Sequence, residues 1–150
     1  MDIHIITFKC GNTEYGLDIN KMDCIIKIPN ITKLPNSPDY LAGIINLRGT
    51  IVPIIDFRMI CSSSNTYEIH ENCKIIVCNL NNKVGFIIDE INQILNKKDA
   101  KIQKPDVLRD LGFLDGILEH GDMLINIVNP DIMMQSLTEL NSMESNNEIS

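Results

Sequence analysis

The run Gly43-Ile44-Ile45-Asn46-Leu47-Arg48-Gly49-Thr50-Ile51-Val52-Pro53-Ile54-Ile55-Asp56-Phe57-Arg58 decides how the rest of this chain is read. Two Ile- and Val-rich segments flank Arg48-Gly49, which places an arginine and a glycine at the turn of a β-hairpin. Gly49 can supply the positive φ that such a turn often needs. Residues 50–55 are too apolar for a strand wetted on one face and predict the interior of a barrel or sandwich. Pro53 has no N–H to donate, so this strand is expected at a sheet edge or with a bulge. Asp56 can cap a brief helix running through Met59-Ile60. Gly43 reads equally as the stop of a short helical turn opened by Pro38 or as a point of close backbone approach. Asn46 is placed to satisfy backbone groups at the hairpin.

Working outward, residues 3–10 and 14–17 read as strands around a Gly11-Asn12 turn. Asp18 offers a cap for a short turn, and residues 24–28 return to β character. Residues 34–39 are loop by their prolines and turn formers. Residues 74–80 and 83–89 form a second hairpin about Asn81-Asn82, and asparagine tolerates the left-handed conformation a tight turn requires. Residues 91–95 fit a helix or a strand, and their isoleucines with no preceding cap favour strand. Pro105 is expected to start a short helix through Val107, Leu108 and Leu111, ended by Gly112. Residues 113–119 and 123–128 make a third hairpin, and Asn129-Pro130-Asp131 starts a helix with Ile132, Met133, Leu137 and Leu140 on its apolar side. The main unit is expected to span residues 1–138, with residues 139–150 a polar, acidic, fraying tail. About ten short strands with few helices predict an all-β fold of two small packed barrels. No internal repeat shows at a fixed period.

At 150 residues the chain suits one domain with a sizeable core. That core must be aliphatic, because there is no Trp and aromatics make up 5%. A net charge of −7 argues against nucleic acid, whose binding depends on Lys and Arg meeting phosphates, and against electrostatic attachment to anionic lipid. No apolar run is long enough to span a bilayer, and Met1-Asp2-Ile3-His4 lacks a signal peptide's basic start, so a cytoplasmic protein is expected.

Chemistry is sparse. The 5 cysteines, Cys10, Cys24, Cys61, Cys73 and Cys78, form no CxxC pair and read as reduced, mostly buried thiols. The triple His70, Cys73 and Cys78 is spaced too widely for paired zinc ligands, so no metal is expected. His4, His70 and His120 fall at the chain start, in a polar loop and in a turn, where solvation is the ordinary state. No glycine-rich phosphate loop exists, and Asp18, Asp89 and Glu90 read as surface carboxylates. Neither catalysis nor a cofactor is expected.

The motif of residues 43–58, with three further patches in order, residues 8–19, the loop 34–38 and residues 84–91, resembles the CheW-type chemotaxis coupling family, and the resemblance covers nearly the whole chain. That family is built as two five-stranded, SH3-like β-barrels with a hydrophobic core between them. The resemblance implies a non-catalytic adaptor joining methyl-accepting chemotaxis receptors to the histidine kinase CheA, whose regulatory domain shares the fold. Further copies of the adaptor can join such barrels into rings, and a receptor's helical tip lies against the groove between barrels. A cytoplasmic protein recruited to receptor arrays follows, without membrane insertion. The same adaptor could instead serve a pathway controlling pili or second messengers. A β-barrel nucleic-acid binder and a small metal or redox enzyme are the readings from other classes. If the chain is complete, a larger multidomain member of the family is excluded.

The resemblance further implies partner binding by Arg48, Gly43, Asn46, Met22 and Cys24, with Gly49, Pro53 and Asp56 as structural members of the motif. Arg48 leads, because its guanidinium is a permanently charged, rigid fork of donors suited to a carboxylate or carbonyls. Cys24 stands where the family often has an acidic residue, which removes a possible ion pair. The Ser-rich segment 61–65 also departs from the family's more basic, helical segment.

Overall fold

The computed structural model describes residues 2–61, 68–107 and 112–149, the last of these by backbone alone from residue 140. Strands β1 (Ile3–Cys10), β2 (Thr13–Asp18), β8 (Glu90–Lys97), β9 (Ile102–Gln103), β10 (Leu114–His120) and β11 (Met123–Val128) form one sheet, in the order β8-β1-β2-β11-β10-β9. Strands β3 (Met22–Lys27), β4 (Leu41–Leu47), β5 (Thr50–Asp56), β6 (Lys74–Asn79) and β7 (Lys83–Ile88) form the other, in the order β3-β6-β7-β5-β4. Among the described residues, α-helix α1 (Phe57–Cys61) directly follows β5, α2 (Pro130–Ile149) follows β11 after Asn129 alone, and a 3-10 turn at Ile19–Lys21 joins β2 to β3.

Period-2 alternation explains why the strands are apolar on both faces. Ile54, Ile75, Val77 and Ile87 fill the interior of the second sheet, whereas their neighbours Ile55, Ile76, Cys78 and Ile88 enter a cluster shared by both sheets. In the first sheet Ile5 and Ile127 face its own interior, with Leu118 and Ile125, while Ile6 and Val128 join the shared cluster. Each sheet thus curls round its own core as an SH3-like barrel, and a third core lies between them. Phe57 is the aromatic centre of that third core, edge-on to Phe8 at 5.3 Å and to Tyr15 at 5.0 Å between ring centres.

The two barrels repeat one design. Parallel pairing joins β5 to β7 and β11 to β2, and the hairpins β4–β5 and β10–β11 carry the same irregularity, between Leu41 and Gly43 and between Leu114 and Gly116. Reading along the chain conceals this repeat because equivalent strands occur in a different order. The first barrel counts six strands rather than five, since two-residue β9 joins its edge. In the second barrel the isolated bridge of Thr32 to Ile44 holds the equivalent place.

Several expectations change. Pro53 is not on an edge strand, because β5 lies between β7 and β4. The turn makes Leu47 and Thr50 a hydrogen-bonded pair, so alternation puts Ile44 and Pro53 at a pair that exchanges no such bonds. On the other side, parallel pairing with β7 starts only at Ile54. The bulge lies on β4, between Leu41 and Gly43. Pro38 opens a turn closed by the Leu41 N–H at 3.0 Å, after which β4 begins at once, so Gly43 stops no helix. Asn81 and Asn82 keep negative φ; among the described residues the non-glycine positions with positive φ are Asn36, Arg48 and Asp99. Residues 90–97 are a strand, as their isoleucines indicate. Most of the helix expected after Pro105 lies outside the described residues.

Asn129 caps α2 by accepting the Ile132 N–H at 3.1 Å, and Met133 enters the shared core. Ile132 instead faces solvent at 39% exposure. The helical backbone continues through Ile149, across the segment where a frayed tail is expected. No helix among the described residues is long and apolar enough to cross a membrane.

Candidate functional site

The Arg48-Gly49 turn carries an unusual backbone. Arg48 has φ 52° and Gly49 φ 86°, so both central residues are left-handed, as the turn that matches strand twist requires. Glycine adopts this freely, whereas an L-residue with a side chain gives up roughly 1–2 kcal/mol. The sequence assigns the positive φ to Gly49; the structure imposes it on Arg48 as well. Asn46 Oδ1 accepts the Gly49 N–H at 2.9 Å and closes the turn. The Arg48 side chain is exposed, and among the described residues it makes no hydrogen bond or ion pair.

Ile51 stands directly across from Asn46 and is 59% exposed. It contradicts the reading of residues 50–55 as wholly buried. The signal was available: Val52 and Ile54 point inward, so alternation turns Ile51 outward. The tip therefore presents an arginine, a threonine (Thr50) and a bare isoleucine side by side.

The other predicted binding residues have different surroundings. Gly43 is buried, with φ 148°, and a Cβ there would lie 2.2 Å from the Thr32 carbonyl oxygen. Its place is the close approach by which Thr32 and Ile44 exchange backbone bonds of 2.9 and 2.8 Å. Met22 and Cys24 are half-buried on β3, which ends the hydrogen-bonded order opposite β4. Met22 packs on the shared core and Cys24 on the second barrel's core, while Ile25 and Lys27 face outward. A bulge sets Asp23 aside to pair with Lys83 at 3.2 Å. The fold thus unites Arg48 with Asn46, puts Gly43 beneath them in the same hairpin, and leaves Met22 and Cys24 on another strand.

Asp56 and Arg58 anchor the far end of β5. Arg58 Nε donates to Asp56 Oδ1 and Nη2 to Oδ2, each at 2.9 Å, and both residues are buried. Asp56 Oδ1 also accepts the Arg58 N–H at 3.1 Å at the start of α1. Arg58 Nη1 donates to the Glu68 carbonyl at 2.8 Å and lies 3.7 Å from Asp89 Oδ1. The Asp56 hydrogen bonds hold the guanidinium pKa above its ordinary value, outweighing the opposing effect of burial. Asp56 was legible as a cap; the role of Arg58 was not, because its other partners come from distant segments. Cys10 and Cys78 are buried thiols, and burial raises the pKa of both, to about 12 for Cys78. Cys78 sits in the shared core, so the linear triple His70, Cys73 and Cys78 does not come together.

Residues 4–138 match the CheW-like domain family. Chemotaxis protein CheW of Klebsiella aerogenes is 32% identical over 136 residues, covering 87% of this chain and 81% of that protein. Its counterpart in Rhizobium meliloti is 31% identical over 138 residues, covering 88% and 87%. The crystal structure of the scaffolding protein TtCheW from Thermoanaerobacter tengcongensis aligns with a TM-score of 0.76 at 30% identity, covering 85% of this chain and 89% of that one. Matched from the first strand into the last helix, and sharing the fold of that scaffold, the chain belongs to the CheW-like domain family.

Proposed function

We propose that this protein is a non-catalytic adaptor that couples chemoreceptor tips to the histidine kinase CheA in chemotaxis, with the Arg48 turn as its working surface. The observation that carries this reading is the state of Arg48: exposed, permanently charged, without a partner among the described residues, and held in a left-handed backbone conformation that is costly for an arginine. Such a residue contributes nothing visible to the fold, so its place is explained by what it meets outside. Ile51 adds an apolar contact beside the charge, the pairing typical of an interface anchor. The working unit is residues 1–138, with the rest an appended tail. The protein acts in the cytoplasm, recruited to receptor arrays, where further copies can join a ring.

Co-sedimentation with a receptor signalling fragment and CheA tests this, comparing wild type with Arg48→Gly. The wild type is expected in the complex and the variant lost from it. The urea midpoint of Arg48→Gly should stay level or rise, because glycine relieves the left-handed strain. Equal retention of the two proteins would remove Arg48 from the working surface. Absence of the wild type, where another coupling protein is retained, would refute the adaptor role.

A further inference from the structure

We propose that His70, Cys73 and Asp89 form a binding site for one divalent transition-metal ion, with Zn2+ the best fit. One nitrogen, one sulfur and one carboxylate oxygen from these residues lie within 4.8 Å of one another. His70 Nε2 stands 3.5 Å from Asp89 Oδ1. Two ligands each about 2.0–2.2 Å from a shared tetrahedral ion stand roughly 3.3–3.6 Å apart, so little movement is needed to close on one. Imidazole, thiolate and carboxylate together suit Zn2+, with a fourth position left for water.

The scaffold presets two of the donors. Cys73 is buried just ahead of β6, and its N–H bonds the His70 carbonyl at 3.1 Å, which folds the His70 and Cys73 side chains toward each other. Asp89 links β7 to β8, and its Oδ2 accepts the Gly11 N–H at 2.7 Å, so Oδ1 is the oxygen turned to the cluster. His70 is half-exposed and gives the ion a way in. The distant Asp89, rather than Cys78, supplies the third donor, which is why spacing along the chain predicted no metal.

Two groups must accommodate the ion. Arg58 Nη1 lies 3.6 Å from Cys73 Sγ and 3.7 Å from Asp89 Oδ1. Its short bonds go to Asp56 and to the Glu68 carbonyl, and Asp56 balances its charge, so it can remain as an outer donor to the thiolate. His70 Nδ1 accepts the Asn72 N–H at 3.3 Å; coordination through Nε2 moves the ring proton to Nδ1 and gives up that bond. Binding also releases the Cys73 thiol proton to solvent.

Metal-free, reduced protein titrated with Co2+ reads the site directly, through the ultraviolet charge-transfer band of a cobalt thiolate. Wild type should take up one equivalent, develop the band and lose it on adding Zn2+. Cys73→Ser should abolish the band, and His70→Ala, at an exposed position, should weaken binding at least tenfold. Cys24→Ser should leave both unchanged. A wild type without the band, or a band that survives Cys73→Ser, would overturn the site. None of these readings depends on receptor or kinase, so the adaptor role is tested separately.

Discussion

At the scale of single residues, the hairpin separates two kinds of constraint that look alike in sequence. Gly43 and Arg48 both stand in the motif, and both have positive φ, but only Gly43 is enclosed. Gly43→Ala would drive a methyl group into the Thr32 carbonyl, so it should cost about 3 kcal/mol in urea unfolding, through backbone strain and the loss of that close approach. A cost under about 1 kcal/mol would show that the approach is not needed. The buried thiols give a pH dependence. Cys10 and Cys78 have pKa values raised by burial from an ordinary 9.0, so above that pH the unfolded chain releases protons that the folded one keeps. Stability should therefore hold below about pH 8 and fall as pH rises through 9, by up to about 1.4 kcal/mol per pH unit for each thiol. Urea midpoints between pH 7 and pH 10 check this, and Cys78→Ala should flatten the slope.

At the scale of elements, the join between β5 and α1 holds distant segments together. Arg58 binds Asp56 within its own motif and reaches the Glu68 carbonyl and Asp89 on segments far along the chain. Arg58→Met keeps the bulk but strands a buried carboxylate, and should cost about 3–5 kcal/mol. The double variant Arg58→Met with Asp56→Leu should recover much of that loss, because the carboxylate left without Arg58 is then only the partly exposed Asp89. If the single variant unfolds at the wild-type urea midpoint, the pair is not an anchor. The hairpins were legible at this scale because turn chemistry and apolar runs are local. The place of β5 within its sheet was not, since Pro53 marks a missing donor without saying which neighbour would have needed it.

At the scale of the whole molecule, the shared core makes two barrels into one folding unit. Phe57 lies 1% exposed between residues of both sheets, including Phe8 and Tyr15 from the first and Phe86 from the second. Phe57→Ala should cost about 3–5 kcal/mol while leaving a single cooperative transition. Hydrogen exchange should then accelerate in β1 and β6 alike. Loss of protection in one barrel alone would show that the barrels unfold independently. The topology requires such coupling: β1 and β2 share a sheet with β8 to β11, so the first barrel closes only after the chain has passed through the second.

The sequence by itself determined the β-rich architecture, the hairpins, the aliphatic cores and the family, because alternation, turn residues and motif spacing are written locally. It also marked Arg48 as the residue to watch. Only the tertiary structure decided that Arg48 bears a left-handed backbone and that Ile51 is exposed beside it. It likewise decided that Met22 and Cys24 lie against cores, and that His70, Cys73 and Asp89 meet. Which side chains share a surface depends on the order in which strands pair, and that order comes from burying both faces of each sheet at once. A chain read from end to end shows the faces of its strands, but the neighbours of those strands are chosen by packing.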